Sequence, residues 1–416
     1  MSNSSFDLIV IGAGPGGYHA AIRASQLGLK VAVVEKDDGS GNGGIGGVCL
    51  NWGCIPSKSL LKNAEIVNHL KHAEDWGITI DKWTADMGKA IDRSRKVSKT
   101  LTGGIEFLFK KNKIELIKGK AKLLSSSEIL VDESTKYISQ NIIIATGARP
   151  RSLPTPGLEI DGKNVITSRN ALELKNKPES IAIIGASAIG CEFAYYFNEF
   201  GAEIQLIEMM DRILPVEDSD VSKEVAKSFK KSGIIISVET KVSKIESLKT
   251  KVKVYTEKNG KEKILEGDVA LLAVGVTGNI ENIGLEELGI VTDRGAIKIN
   301  QFNQTNIPTI YAIGDVSGPP WLAHVASAQG HVAADHAAGH SPKPVDYTNI
   351  PGCTYCQPQV GSLGMTEAIA KESGHDVKTG KFLFQASGKA MAVGNTTGFV
   401  KLVFDGKYGE LLGAHI

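Results

Sequence analysis

The stretch FDLIVIGAGPGGYHAAIRASQLGLKVAVVEK, Phe6 to Lys36, decides the fold. A short apolar run, Leu8 to Ile11, enters a glycine turn. A helix-like segment follows, and a second apolar run covers Val31 to Val34. This is the pattern of a strand–turn–helix–strand unit. Gly12, Gly14 and Gly17 form G-x-G-x-x-G where the first strand meets the helix. There the first glycine permits the tight turn, the second lets backbone approach a pyrophosphate, and the third lets helix and strand pack. The phosphates meet the positive helix N-terminus, and Glu35, ending the next strand, can bond a ribose hydroxyl. The glycine motif alone is unspecific. With strand, helix and acid around it, it predicts dinucleotide binding.

The unit recurs as SIAIIGASAIGCEFAYYFNEFGAEIQLIEMM, Ser180 to Met210. Gly185, Ser187 and Gly190 repeat the turn with serine in the middle, which loosens the backbone's approach to a phosphate. Glu208 follows Gly185 at the interval that separates Glu35 from Gly12. An acid there favours a free ribose hydroxyl and repels a 2′-phosphate, so NAD is expected over NADP. Two such units predict an α/β chain with two Rossmann-like nucleotide-binding domains.

Shortly after the first unit comes GGVCLNWGCIPSK, Gly46 to Lys58. It holds two of the chain's 5 cysteines, Cys49 and Cys54. A low, odd count argues against an extracellular disulfide framework and for a reducing compartment, where a cysteine pair is usually catalytic or redox-sensing. Spacing alone also permits two structural thiols that never meet. A helix starting within Leu50 to Lys58 would favour the thiolate through its dipole, and Lys58 would add positive charge. The run GSGNGGIGG, Gly39 to Gly47, suggests a flexible approach to this loop. Cys191 reads as a small packing residue. Cys353 and Cys356, in CTYC, lie in a strand-like run and read as structural. His331, His336 and His340 share a helix-like stretch that no carboxylate pattern completes, so no metal site is expected.

The chain has 416 residues, long for one core and suggestive of about three domains. Its 42% hydrophobic and 22% charged content is ordinary for a globular protein, and a net charge of +1 supplies no field for nucleic acid or anionic membrane. No apolar run is long enough to span a bilayer, and the start does not read as a signal peptide. Asn68 to Leu108 is polar and helix-like, and Ile114 to Val131 reads as short strands. NIIIATGARPR marks the first domain boundary. Lys241 to Val276 returns as strands, TNIPTIYAIGDVSG is a strand ending in Gly-Asp, and the chain from Tyr347 alternates like an antiparallel sheet.

The assembled motifs resemble the flavoprotein disulfide reductases, and within them the dihydrolipoamide dehydrogenases, from Phe6 to the last residue. GGVCLNWGCIPSK is the most specific match; IIIATGARP, AIGD and LAH (Leu322 to His324) also fit. The resemblance implies an FAD domain (1–150), an NAD domain (151–278), a central domain (279–346) and an α+β interface domain (347–416) that makes a homodimer. It assigns Gly12, Gly14, Gly17, Glu35, Lys58, Gly119, Thr146, Gly147, Asp315, Ala323 and His324 to FAD. It assigns Gly185, Gly190, Glu208, Val242 and Gly275 to NAD. Cys54 would be the thiol nearest the flavin and Cys49 the one that exchanges with substrate, with Lys58 paired to Glu192. Implied partners are a lipoyl-bearing acyltransferase or lipoyl carrier domain of a 2-oxoacid dehydrogenase complex, in the cytoplasm or, for a eukaryotic source, the mitochondrial matrix.

Some positions depart from the family. Val276 and Gly278 stand where Arg and Pro are usual, and Trp52 replaces a smaller residue in the cysteine loop. No His-Pro base matches after Ala386, so the interface domain is expected to be incomplete. Rival readings are another NADH-dependent disulfide reductase of the same fold or a truncated, non-catalytic FAD-binding structural subunit. Glutathione-type reductases are disfavoured by Glu208, Met209 and Met210 in place of basic residues, and single-cysteine NADH oxidases by Cys49.

Overall fold

A computed structural model of the chain describes residues 5–36, 44–152 and 159–416. The chain divides into two compact units. The first comprises Met1–Pro56, Ser94–Arg151 and Val276–Val345; the second comprises Ser57–Arg93, Ser152–Gly275 and Asp346–Ile416.

In chain order, β1 (Ser5–Ile11), α1 (Pro15–Gln26), β2 (Val31–Glu35) and α2 (Gly47–Trp52) open the first unit. Helix α3 (Cys54–Lys71) starts there and runs into the second unit; α4 (Met87–Lys111) starts in the second and ends in the first. Strands β3 (Glu115–Lys118), β4 (Ala121–Leu123), β5 (Glu128–Val131), β6 (Thr135–Ile144) and β7 (Ala148–Pro150) follow. The second unit then takes β8 (Val165–Thr167), α5 (Ser168–Ala171), β9 (Ser180–Ile184), α6 (Ala188–Glu199), β10 (Glu203–Ile207), α7 (Ser219–Lys231) and β11 (Ile235–Ser237). It continues through β12 (Lys241–Ser247), β13 (Val252–Lys258), β14 (Lys261–Gly267) and β15 (Val269–Leu272). Strands β16 (Val276–Gly278), β17 (Thr292–Asp293), β18 (Ala296–Ile297) and β19 (Ile310–Ala312), with α8 (Ala323–Ala337), complete the first unit. The second ends with β20 (Gly352–Thr354), β21 (Val360–Gly364), α9 (Glu367–Glu372), β22 (Val377–Leu383), α10 (Gly388–Ala392), β23 (Phe399–Asp405) and β24 (Leu411–His415).

The first unit is built on a sheet of order β3–β2–β1–β6–β5–β4, with β19 also paired to β6. Strands β3, β2, β1 and the end of β6 run parallel. Both faces are covered, which is why these strands read as unbroken apolar runs. Leu8, Val10, Val31 and Val33 pack with Ala20 and Ala24 of α1 on one face. Ile9, Ile11, Ala32, Val34, Ile142 and Ile144 fill the other. Helices α1 and α8 cross closely: a Cβ at Gly330 would lie 2.6 Å from the Gly16 carbonyl oxygen.

The second unit repeats the scheme with an all-parallel sheet, β11–β10–β9–β15–β8. Ile181, Ile183 and Leu206 pack against Cys191, Ala194 and Phe197 of α6. Ala182, Ile184 and Ile207 meet Val252 and Val254 of the antiparallel meander β12–β13–β14. The last residues form an antiparallel sheet, β20–β21–β24–β23–β22. Within this unit buried Lys401 of β23 ties that sheet to the start of α7, with its Nζ 2.9 Å from Asp218, 3.2 Å from Asp220 and 2.7 Å from Glu367. Removing one partner of such a buried network costs about 3–5 kcal/mol.

The strands expected in Ile114 to Val131, in Lys241 to Val276 and after Tyr347 are present. Asn68 to Leu108 is not one continuous helix: α3 ends at Lys71 and α4 begins at Met87. Cys353 lies on β20 and Cys356 just beyond it, while His340 falls past the end of α8.

Candidate active site

Both glycine turns have the same construction. Gly12 N–H donates to Val34 O and Gly185 N–H to Ile207 O, each at 2.8 Å, which docks each turn on the neighbouring strand. A Cβ at Gly17 would lie 1.9 Å from the Gly12 carbonyl oxygen, and one at Gly190 would lie 1.9 Å from that of Gly185. The third glycine is therefore fixed by the approach of helix to turn in both copies. Gly14 and Ser187 occupy the N-cap positions of α1 and α6, and neither makes a side-chain cap. The free N–H groups of each first turn can then face an anion.

The acids are equivalent as well. Glu35 Oε2 accepts from Ala13 N–H at 2.5 Å, and its Oε1 accepts from Gly44 N–H at 3.1 Å. Glu208 Oε2 accepts from Ala186 N–H at 2.7 Å and its Oε1 from Met210 N–H at 2.9 Å. Each carboxylate thus clamps the turn it was expected to serve.

The cysteine loop sits on the first turn. Gly46 N–H donates to Ala13 O at 2.8 Å, and a Cβ on Gly47 would come within 2.7 Å of Gly14 Cα. Gly46 and Gly47 both have positive φ, at 92° and 58°. The part of the supposed flexible approach that is described is a packed corner, since Ile45 is buried and Gly47 touches the turn. Residues 37–43 of that run lie outside the described residues.

The helix start expected within Leu50 to Lys58 falls at Cys54, and a separate short helix precedes it. Gly53, with φ −148° and ψ −115°, ends α2 after Trp52, and α3 starts at Cys54. Cys49 therefore lies within α2, and Cys54 is the first residue of an 18-residue helix whose dipole favours a thiolate. Both cysteines are half-buried. Tyr18 of α1 faces them: burial pushes its hydroxyl pKa up, and the charges of Cys49 and Cys54 push it further. Nothing in the spacing of the sequence had pointed to Tyr18.

Other expected residues of the first unit surround this corner. Gly119 N–H donates to the Glu35 carbonyl at 3.0 Å. Thr146 Oγ1 donates to Asn279 O at 2.8 Å, Asn279 Nδ2 returns a bond to Thr146 O at 2.9 Å, and Asn279 N–H bonds Gly147 O at 2.9 Å. Asn279, which the sequence reading did not single out, clasps the whole turn. Asp315 sits in a short 3₁₀ turn, where burial raises its carboxyl pKa to about 6. Ala323 and His324 form the first turn of α8, with His324 exposed.

In the second unit, Thr240 N–H donates to the Glu208 carbonyl at 2.9 Å, which sets half-buried Val242 of β12 near that acid. Gly275 follows β15, exposed and with φ +95°. Lys58 and Glu192 do not form the direct ion pair that was expected. Both converge on Tyr355 instead: Glu192 Oε1 accepts Tyr355 N–H at 2.9 Å, and Lys58 Nζ lies 4.1 Å from the centre of the Tyr355 ring. Burial raises the Glu192 pKa, opposed by that N–H and by the charge of Lys58. Cys191 and Cys356 are fully buried in the core of this unit, as packing residues are.

The family model for pyridine nucleotide-disulphide oxidoreductases matches residues 6–330, and that for their dimerisation domain matches 350–416. A dihydrolipoyl dehydrogenase of Rhizobium etli is 46% identical over 433 residues, covering 99% of this chain and 88% of the relative. One of Zymomonas mobilis is 47% identical over 420 residues, with the same coverage of each chain. Among solved structures, the HOCl-induced flavoprotein disulfide reductase RclA of Escherichia coli superposes with a TM-score of 0.86 at 27% identity, over 99% of this chain and 89% of that one.

Proposed function

The chain belongs to the dihydrolipoyl dehydrogenase branch of the pyridine nucleotide-disulphide oxidoreductases, and from that premise we propose that it oxidises protein-bound dihydrolipoyl groups and passes the electrons through FAD to NAD⁺. The observation that carries this reading is the seating of the cysteine loop on a dinucleotide turn, Gly47 against Gly14. A redox pair placed there lies next to whatever the turn binds. The turns themselves fit the cofactors: each has a helix N-terminus at the glycine turn and an acid at the ribose position, and the first has a corner without a side chain at Gly14 where the second carries the small Ser187.

Cys49 and Cys54 form the disulfide that receives electrons. A dihydrolipoyl thiolate attacks Cys49 Sγ, breaks the Cys49–Cys54 bond and releases Cys54 as a thiolate. The second substrate thiolate then attacks the substrate sulfur bound to Cys49, closing the lipoyl disulfide and releasing Cys49. Two electrons now reside on the cysteine pair, and two protons have left the substrate. FAD, when bound, would supply the two-electron acceptor chemistry, with NAD⁺ as the final acceptor. Cys54 lies at the N-terminus of α3, where the helix dipole favours a thiolate. Lys58, four residues after Cys54 on α3, would add positive charge along that helix, and it meets Glu192 at Tyr355.

Gly12, Gly14, Gly17, Glu35, Gly119, Thr146, Gly147, Asp315, Ala323 and His324 hold FAD on this reading, and Gly185, Gly190, Glu208, Val242 and Gly275 hold NAD. The chain divides functionally into FAD (1–150), NAD (151–278), central (279–346) and interface (347–416) domains. Exposed Phe382, Leu383, Met391, Val393 and Tyr408 in the last of these support a homodimer. The substrate carrier is a lipoyl domain of a 2-oxoacid dehydrogenase complex, in the cytoplasm. Among the described residues no helix is long and apolar enough to cross a membrane.

Absorbance during anaerobic NADH titration tests the assignment. A long-wavelength thiolate-to-flavin charge-transfer band is expected; Cys54→Ser should abolish it, while Cys49→Ser should keep it and lose lipoamide turnover. Full lipoamide turnover in either variant would overturn the reading.

A further inference from the structure

The segment between the two cysteines is held from outside by one cation. Arg95, on α4, donates from Nη1 to Asn51 O at 2.5 Å, and its guanidinium carbon lies 4.7 Å from the centre of the Trp52 ring. Asn51 O is a carbonyl at the C-terminal end of α2, where the helix dipole favours a positive charge. Asn51 is itself braced: its Nδ2 bonds Ile45 O at 2.9 Å and Gly47 O at 3.0 Å, and its Oδ1 accepts from Thr102 Oγ1 at 3.4 Å. Asn51 follows Cys49 by two residues, and Trp52 precedes Cys54 by two. One guanidinium therefore grips the middle of the peptide that sets the distance between the two sulfurs.

We propose that Arg95, seated on Trp52 and the Asn51 carbonyl, is a positioning residue that fixes the Cys49–Cys54 geometry and biases the pair toward its reduced, anionic form. Its contacts on the cysteine loop are to Asn51 and Trp52, so it acts through the loop. Its effect follows from two physical facts. The disulfide is neutral, whereas the reduced pair carries a thiolate, so a fixed cation nearby stabilises the reduced side of the couple. A planar guanidinium can stack on the indole while donating in its own plane, which an ammonium does less well. The large Trp52, which stands where the resembling enzymes carry a smaller residue, supplies the surface on which Arg95 is seated. Tyr18, which also faces the pair, has a raised pKa and supplies no positive charge in either protonation state, and Lys58 lies a helical turn beyond Cys54 rather than on the segment between the cysteines.

The inference rests on Cys49 and Cys54 being the redox pair. Arg95→Gln keeps a donor for Asn51 O but removes the charge; Arg95→Lys keeps the charge but loses the planar stack. Both are prepared as FAD-loaded protein, and the fraction of reduced pair is read from the charge-transfer band at equilibrium with defined NAD⁺/NADH ratios. Arg95→Gln should shift that equilibrium about tenfold toward the disulfide, about 30 mV. Arg95→Lys should remain within about threefold of wild type in potential yet lose lipoamide kcat through looser geometry, with KM unchanged. NADH-driven dye reduction should be the same in all three. Equal potentials for wild type and Arg95→Gln would overturn the proposal, as would identical shifts in the Gln and Lys variants, which would mark a merely structural role. A wild-type protein with no charge-transfer band would sink the redox-pair reading itself, a separate and distinguishable failure.

Discussion

Adding one methyl group at Gly190 tests whether the second turn binds a dinucleotide. A Cβ there would lie 1.9 Å from the Gly185 carbonyl oxygen and 3.0 Å from its carbonyl carbon. Neither neighbour is a flexible side chain, so the start of α6 must retreat from the turn by about 1 Å to restore a contact that packed atoms tolerate. A phosphate hydrogen bond of about 2.9 Å from the α6 N-terminus would then stretch to about 4 Å, beyond the useful range. A hydrogen bond to a charged group is worth about 1.5–3 kcal/mol, and each 1.4 kcal/mol is tenfold. Gly190→Ala should therefore raise KM for NADH by about 10- to 100-fold. Steady-state kinetics with a dye acceptor measure this, and flavin absorbance after gel filtration measures FAD content, which should not change. The matching Gly17→Ala change meets the same 1.9 Å obstacle at Gly12 and should show the reverse, lost FAD. A Gly190→Ala protein whose KM lies within twofold of wild type would refute the reasoning.

Glu208 should make NADH the preferred nucleotide by at least tenfold in kcat/KM over NADPH, and a preference for NADPH would remove the second site's assignment. Glu208→Gln should narrow that preference by losing the charge while keeping an acceptor for Ala186 N–H, now 2.7 Å away. Burial raises the Asp315 carboxyl pKa from 3.8 to about 6, so the folded chain binds that proton more tightly than the unfolded chain. Its effect on stability is then unfavourable and grows as pH rises through that window. FAD-free Asp315→Asn should thus melt no lower than wild type at pH 7, with the difference vanishing near pH 4, while the holoprotein loses flavin more readily. A clearly lower Tm for the FAD-free variant at pH 7 would contradict this.

The two glycine turns were legible because their requirements are local. A strand, a glycine at the point of closest approach and an acid closing the next strand all follow one another in the chain, and both copies show them. The parallel sheets were legible for the same reason, since burial on both faces leaves unbroken apolar runs such as Leu8 to Ile11. What the sequence hid depends on residues far apart. Asn279 clasps Thr146 and Gly147, Tyr18 faces the cysteines, and Tyr355 gathers Lys58 and Glu192. None has a spacing rule, because each is placed by tertiary packing. The helix start expected within Leu50 to Lys58 is present at Cys54, but the break before it was not legible: Gly53 adopts a backbone conformation that no helix contains. The pairing of Lys58 with Glu192 was carried over from a resemblance, and the aromatic residue that comes between them could not be read from either position.

The two copies differ where the chemistry differs. Position 14 is glycine in the first and its counterpart, Ser187, carries a side chain in the second. The protein around Gly14 would admit a Cβ, whose nearest neighbour would be Gly47 Cα at 3.8 Å. The tight contact runs the other way, with a Cβ on Gly47 falling 2.7 Å from Gly14 Cα. A side chain at 14 would fill the space over the turn, and a side chain at 47 would lift the cysteine loop off it. The glycines before Cys49 thus act as part of the first nucleotide turn rather than as a tether. In the second copy no cysteine loop returns to the turn, and a serine there needs only to leave room for a phosphate. On the proposed assignment, the bare corner belongs to the copy that must bring a disulfide and a dinucleotide together, and the filled corner to the copy that has only to bind and release its nucleotide.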